Sequence, residues 1–261
     1  MIKVTEQLPL YNILVLLCML FAACHSVADE SEDDTKLVTG DTYFPYISDR
    51  LPNGGWSQSI VKAIFNKMGM PIKIDSLPWS RGYQWAYEGV YFGTFPYVYN
   101  DQRGQEFLFS NPINTVPMRI FVAANSDIGD IDSLSGKLLC LPYGYNLDAT
   151  SEQLFKKLKI VVNRAKDAAG CAGQVLKGWS DFGLTNGYFE DTELKARFGS
   201  VDSISILEQP FGEVSLHFII SRNIPDANTY MRKFNNALFE LEISGEKALI
   251  DEHFLTLLSG K

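Results

Sequence analysis

From residue 36 onward the chain alternates short apolar runs with stretches whose apolar positions recur every three to four residues. Lys36 to Thr39 reads as a strand, and the Gly- and Pro-punctuated segment TGDTYFPYISDRLPNGG that follows reads as a loop. In WSQSIVKAIFNKMGM, Ile60, Val61, Ile64, Phe65 and Met68 share one face at helical spacing, which predicts a core-facing helix. PIKIDSL then reads as a strand, PWSRGYQWAYEG as a helix with an aromatic face, and VYFGTFPYV as a third strand. A βαβαβ order with short connections predicts a mixed or parallel sheet covered by helices. The pattern restarts at SGKLLCLPYGYN, with TSEQLFKKL as a helix whose Thr150 and Gln153 are spaced as a capping box. A strand at KIVVN, a helix around Gly170 to Lys177 and a strand at DFGLT complete a second α/β unit. The C-terminal stretch is mostly helical, with Tyr230, Phe234, Leu238 and Leu241 near helical spacing and Gly245 as the expected C-cap. One segment resists this reading. GTFPYVYNDQRGQEFLFSNPI begins as a strand and then turns too irregular for a helix or a plain strand, and Arg103 lies in its middle.

The N-terminal pattern is of another kind. Ile13 to Cys24 is an unbroken apolar run, about a dozen residues, too short to span a bilayer and suited to a secretory leader. Ser26-Val27-Ala28 supplies small residues for cleavage after Ala28, so residues 1–28 are expected to be a signal peptide. Phe21-Ala22-Ala23-Cys24 gives an alternative, lipoprotein processing with a lipid anchor on Cys24. A buried N-terminal helix is the third reading, though no polar face supports it. With Cys18 and Cys24 in the leader, Cys140 and Cys171 are the remaining cysteines, and an even pair in an oxidising compartment suggests a disulfide; two separate buried thiols are the alternative. His217 and His253 are the other soft ligands after the leader, so no metal site and no cofactor are expected.

Composition narrows the function. Hydrophobic residues make up 46% and charged residues 21%, the balance of a globular chain with its own core. A net charge of -8 sets the molecular field against phosphate backbones, so nucleic acid is not an expected partner. No Ser-His-Asp or His-Glu-x-x-His pattern occurs. Arg103 offers a planar fork of donors that matches a carboxylate, and the other reading is an exposed arginine paired with Asp101 or Glu106. Tyr43 and Tyr46 follow the first strand and Tyr97 ends the third, where α/β sheets present ligand-binding loops. Each tyrosine can equally be a packing residue.

These segments together resemble the bacterial extracellular solute-binding proteins of family 3, the amino-acid-type receptors of ABC importers. The resemblance runs through TGDTYFPY, GGWSQSIVKAIFNKMG, FGTFPYVYNDQRGQEFLFSNPI, SGKLLCLPYGYN and the closing segment from His217 to Phe254. It implies an α/β, two-lobed periplasmic-binding-protein-like fold of type II, with two mixed sheets flanked by helices and a ligand cleft between the lobes. Residues 29–116 and 213–261 would form lobe 1 and residues 117–212 lobe 2. In the family an arginine six residues before the aromatic of an FS-x-P element clamps the ligand carboxylate, and Arg103, Phe109, Ser110 and Pro112 have that spacing. By the same resemblance Asp41 and Tyr43 line the pocket, Pro96 and Tyr97 replace a polar pair, and Gly144, Tyr145 and Asn146 offer backbone N–H groups near a helix start. Where amino-acid binders carry an acid for the ligand ammonium, this chain has Asn186, with Asp41, Glu190 or Asp191 as possible substitutes. Arg81, between Trp79 and Trp85, either faces the cleft or lies on an amphipathic helix over the sheet. The function implied is periplasmic capture of a small polar, carboxylate-bearing solute, with an ABC permease as partner and the protein a monomer. A ligand-sensing lobe without transport and a dehydratase-like enzyme on the same fold are the alternatives.

Overall fold

The computed structural model describes residues 35–145, 147–188 and 203–259. The expected leader and its expected cleavage site, with Cys24, together with Asn146, Glu190 and Asp191, lie outside the described residues.

The strands are β1 (Thr35–Thr39), β2 (Ile72–Ser76), β3 (Gly93–Tyr97), β4 (Phe107–Phe109), β5 (Asn114–Ala123), β6 (Leu138–Pro142), β7 (Val161–Ala165), β8 (Phe182–Thr185), β9 (Ile204–Ile206) and β10 (Gly212–Ser221). The helices are α1 (Trp56–Lys67), α2 (Trp79–Tyr87), α3 (Asp101–Glu106), α4 (Ala149–Lys157), α5 (Ala168–Leu176), α6 (Ala227–Ile243) and α7 (Glu246–Ser259). The sheet order is β2-β1-β3-β10-β5-β8-β6-β7, with β4 on β10 and β9 on β5.

Two long strands organise this order. The first half of β5 pairs antiparallel with the first half of β10, Asn114 opposite Leu216 and Met118 opposite Gly212. The second half of β10 then pairs with β3 and β4, while the second half of β5 pairs with β8 and β9. Each strand thus leaves one group of parallel strands, β2-β1-β3 or β7-β6-β8, and serves the other.

Burial follows the same division. Ile60, Val61, Ile64 and Phe65 of α1 are fully buried against Phe218, Phe234 and Leu238, as the spacing of α1 predicts. A separate cluster joins Ile120, Val122, Leu139, Leu141, Phe155 and Phe182. The α7 helix is tied back by Phe254, stacked on Trp56 at 5.8 Å, and by the Trp56 indole N–H donating to Asp251 at 2.7 Å.

The capping box expected at Thr150 and Gln153 is not what starts α4. Asp148 is the N-cap, its Oδ1 accepting from the N–H groups of Thr150 and Ser151 at 3.0 Å each. A carboxylate two residues earlier offers two acceptor atoms and suits the positive end of the helix dipole better than a hydroxyl does. Cys140 on β6 and Cys171 on α5 form a disulfide, with Cα atoms 5.3 Å apart.

Candidate functional site

The carboxyl ends of β1, β3, β6 and β8 present the segments in which the sequence places a site, as expected of parallel α/β sheets. At the end of β3 the chain passes through Val98 to Asn100, whose side-chain Oδ1 accepts the Arg103 N–H at 2.8 Å and caps α3. The irregular segment is therefore strand, short helix and strand in succession. Six residues are too few to show a helical period, which is why the apolar pattern does not reveal α3.

That helix turns Arg103 inward. Arg103 is only 8% exposed, so it is not the loop arginine in open solvent that its polar neighbours suggest. Its Nη1 donates to the Val98 carbonyl at 2.8 Å, and its Nη2 reaches the Gly144 carbonyl at 3.3 Å. The guanidinium carbon stands 5.0 Å from the Tyr97 ring centre and 5.9 Å from that of Tyr83. Among the described residues no carboxylate forms an ion pair with it. Glu106, the nearby acid, accepts a hydrogen bond from the Tyr83 hydroxyl instead. Burial draws the Arg103 pKa down, opposed by Tyr97 and Tyr83. Arg222 steadies α3 from the end of β10, donating from Nε and Nη2 to the Gly104 carbonyl at 3.2 and 2.9 Å.

An aromatic wall surrounds this cation. Trp79 meets Tyr97 edge to face at 5.7 Å and Tyr43 at 6.4 Å, and Tyr83 packs on Tyr97 at 5.6 Å. The Trp79 ring lies against Gly40 so closely that a Cβ there would fall 1.9 Å from it. Burial pushes the Tyr97 hydroxyl up to about 12, with Arg103 pulling the other way. Tyr145 is likewise pushed up to about 12, by burial and then by Asp148, again with Arg103 opposing. Tyr43 is raised by burial and by its neighbours Tyr145 and Tyr46.

The other expected residues divide. Gly144, at φ +80°, turns its carbonyl toward Arg103, and Tyr145 places its hydroxyl 3.7 Å from the Met118 sulfur. Arg164 holds this loop, donating to the carbonyls of Pro142 and Tyr145 at 3.0 and 2.7 Å. Pro96 is buried within β3. Asn186 is buried after β8, its Nδ2 donating to the Phe44 carbonyl at 2.7 Å and its Oδ1 accepting the Tyr188 N–H at 2.9 Å. Tyr46 belongs to the core, 1% exposed and stacked on Trp56 at 5.6 Å. Asp41 is exposed, accepting the Thr42 N–H, and Arg81 is exposed on α2. Trp79 and Tyr83, not named as site residues by the sequence, stand four apart on α2 and face the cluster where Arg81 does not. Their shared helical face was the available signal.

The fold is that of the type II, two-lobed periplasmic-binding-protein-like α/β proteins. A family model matches residues 36–256, and the chain belongs to the bacterial extracellular solute-binding proteins, family 3. Among solved structures it is similar to the arginine-, lysine-, histidine-binding protein ArtJ from Geobacillus stearothermophilus, at TM-score 0.67 and 16% identity over 87% of this chain and 96% of that one. It is also similar to an arginine third transport system periplasmic binding protein from Legionella pneumophila, at TM-score 0.68 and 15% identity over 84% and 98%. A histidine kinase sensor domain with similarity to periplasmic binding proteins matches at TM-score 0.67 and 18% identity over 85% and 96%. No curated protein matches the chain by sequence.

Proposed function

We propose that the chain is a non-enzymatic periplasmic receptor that captures a small carboxylate-bearing solute, an amino acid or a derivative of one, for an ABC importer. One observation carries the reading: Arg103 is a buried cation without a carboxylate partner among the described residues. Its two hydrogen bonds engage only part of a five-donor fork, and a buried charge of this kind is costly unless an anion joins it. A solute carboxylate supplies that anion, while Tyr43, Tyr97 and Trp79 provide ring faces and edges for the rest of the molecule. Gly144 and Tyr145 approach from the opposite group of strands, so closure would bring both groups onto one ligand. The transport system named for the Legionella pneumophila structure supports the importer reading. The kinase sensor domain supports a second, in which the same capture feeds a signal.

The test is a thermal-shift panel of amino acids, small carboxylates, amines and short peptides. A binder present at a hundred times its Kd stabilises the native state by about 2.7 kcal/mol, enough to register as a shift. Carboxylate-bearing compounds are expected to raise the melting temperature of the wild type and leave Arg103→Ala unmoved. An equal shift in the variant would remove Arg103 from the site. Uptake of the hit compound by cells with and without the gene separates importer from sensor.

A further inference from the structure

The carboxyl ends of β1 and β8 come from opposite groups of strands, and a hydrogen bond 142 residues apart in sequence joins them. Asn186 follows β8 and is 8% exposed. Its amide orientation is set from both sides, because the Tyr188 N–H requires an acceptor and the Phe44 carbonyl requires a donor. Both ends of the amide are therefore engaged by the protein. The companion link, Arg103 Nη2 to the Gly144 carbonyl, is longer at 3.3 Å and gives weaker support.

We propose that Asn186 is a positioning residue that latches the cleft shut: its Nδ2–H bond to the Phe44 carbonyl ties the two groups of strands together. Only an amide of this length meets both demands. An aspartate would keep the bond from the Tyr188 N–H but set a carboxylate against the Phe44 carbonyl, where two acceptors repel. An alanine would lose both bonds. A solute therefore has no bond to supply at this corner, and its recognition does not require a cationic group there. That last consequence rests on the solute-capture reading, whereas the latch does not.

Small-angle scattering of the purified, ligand-free protein tests the latch directly. The wild type is expected to scatter as a compact particle, and Asn186→Asp and Asn186→Ala to expand as the closed-to-open ratio falls about tenfold, the effect of one buried hydrogen bond lost. Circular dichroism checks that both variants fold. Amide exchange at Tyr188 should stay protected in Asn186→Asp, which keeps the acceptor, and become faster in Asn186→Ala. Scattering of folded Asn186→Asp that superimposes on the wild type would overturn the proposal, as would a wild type already as expanded as its variants. A compact wild type with expanded variants but no response to the solute panel would leave the latch standing and remove solute capture. A panel response together with unchanged scattering would do the reverse.

Discussion

Arg103 and the tyrosines around it form one electrostatic unit. The guanidinium favours ionisation of each hydroxyl near it, and burial opposes it more strongly, so the Tyr97 and Tyr145 hydroxyls are pushed up to about 12 from an ordinary value of 10.0. A raised acid pKa means that between about 10 and 12 the folded state holds protons that the unfolded state has released. The number of protons bound in the unfolded state minus that in the native state is then negative, so stability falls as pH rises through this window. The contribution is complete below pH 10 and lost once the folded groups ionise. Denaturant melts stepped from pH 9 upward should show stability declining above about pH 10, and Tyr97→Phe should flatten part of the slope. An unchanged slope in that variant would mean that Tyr97 titrates like a solvent-exposed phenol.

At the scale of elements, the supports of the site can be separated from the site itself. Asp148 caps α4 directly after the Gly144–Tyr145 loop, so Asp148→Ala should lower stability by about 1 kcal/mol in denaturant unfolding. A variant as stable as the wild type would show that water replaces the cap at no cost. The disulfide ties β6 to α5 across a sequence separation of 31 residues, and closing a loop of that length stabilises by about 3 to 4 kcal/mol in the chain-entropy model. Reduction should therefore lower the melting temperature by roughly ten degrees while leaving ligand preference unchanged, because Arg103 lies on neither tied element. A melting temperature indifferent to reductant would deny the bond any such role. The strands and helices of these regions were legible because each carries its own period, as α1 does with Ile60, Val61, Ile64 and Phe65. The residues of the candidate site stand out in the sequence only in part. Arg103 was singled out by its spacing to the Phe109-Ser110-x-Pro112 element, yet its burial depends on α3, Val98 and Gly144, contacts that no local pattern encodes. Tyr46 shows the converse. Its place after a strand pointed to the cleft, and only the packing of Trp56 and Phe254 makes it core. Arg81 and Tyr83 lie two apart on α2, and which of them turns inward is decided by the tertiary fit of Gly82 and Ala86 against the sheet.

Solute capture as proposed requires two groups of strands able to move and a connection stiff enough to keep them one folding unit. β5 and β10 supply that connection, and their burial shows how. Val116 and Met118 of β5 belong to the cluster built on α1 and α6, while Ile120 and Val122 of the same strand belong to the cluster around Phe182. Leu184 and Phe211 pack against both. Neither cluster can lose its packing without freeing a strand that the other requires. Equilibrium unfolding should accordingly be a single cooperative transition. The tryptophans make this measurable: Trp56, Trp79 and Trp85 report on the β2-β1-β3 side, and Trp179, in the turn before β8, reports on the other. A Trp179→Phe variant confines the fluorescence to the first side, and its transition should coincide with that from far-ultraviolet circular dichroism, which senses both. A fluorescence transition displaced from the dichroism, with a lower slope for each step, would mean that the sides unfold separately and that the shared strands couple them too weakly to act as a hinge.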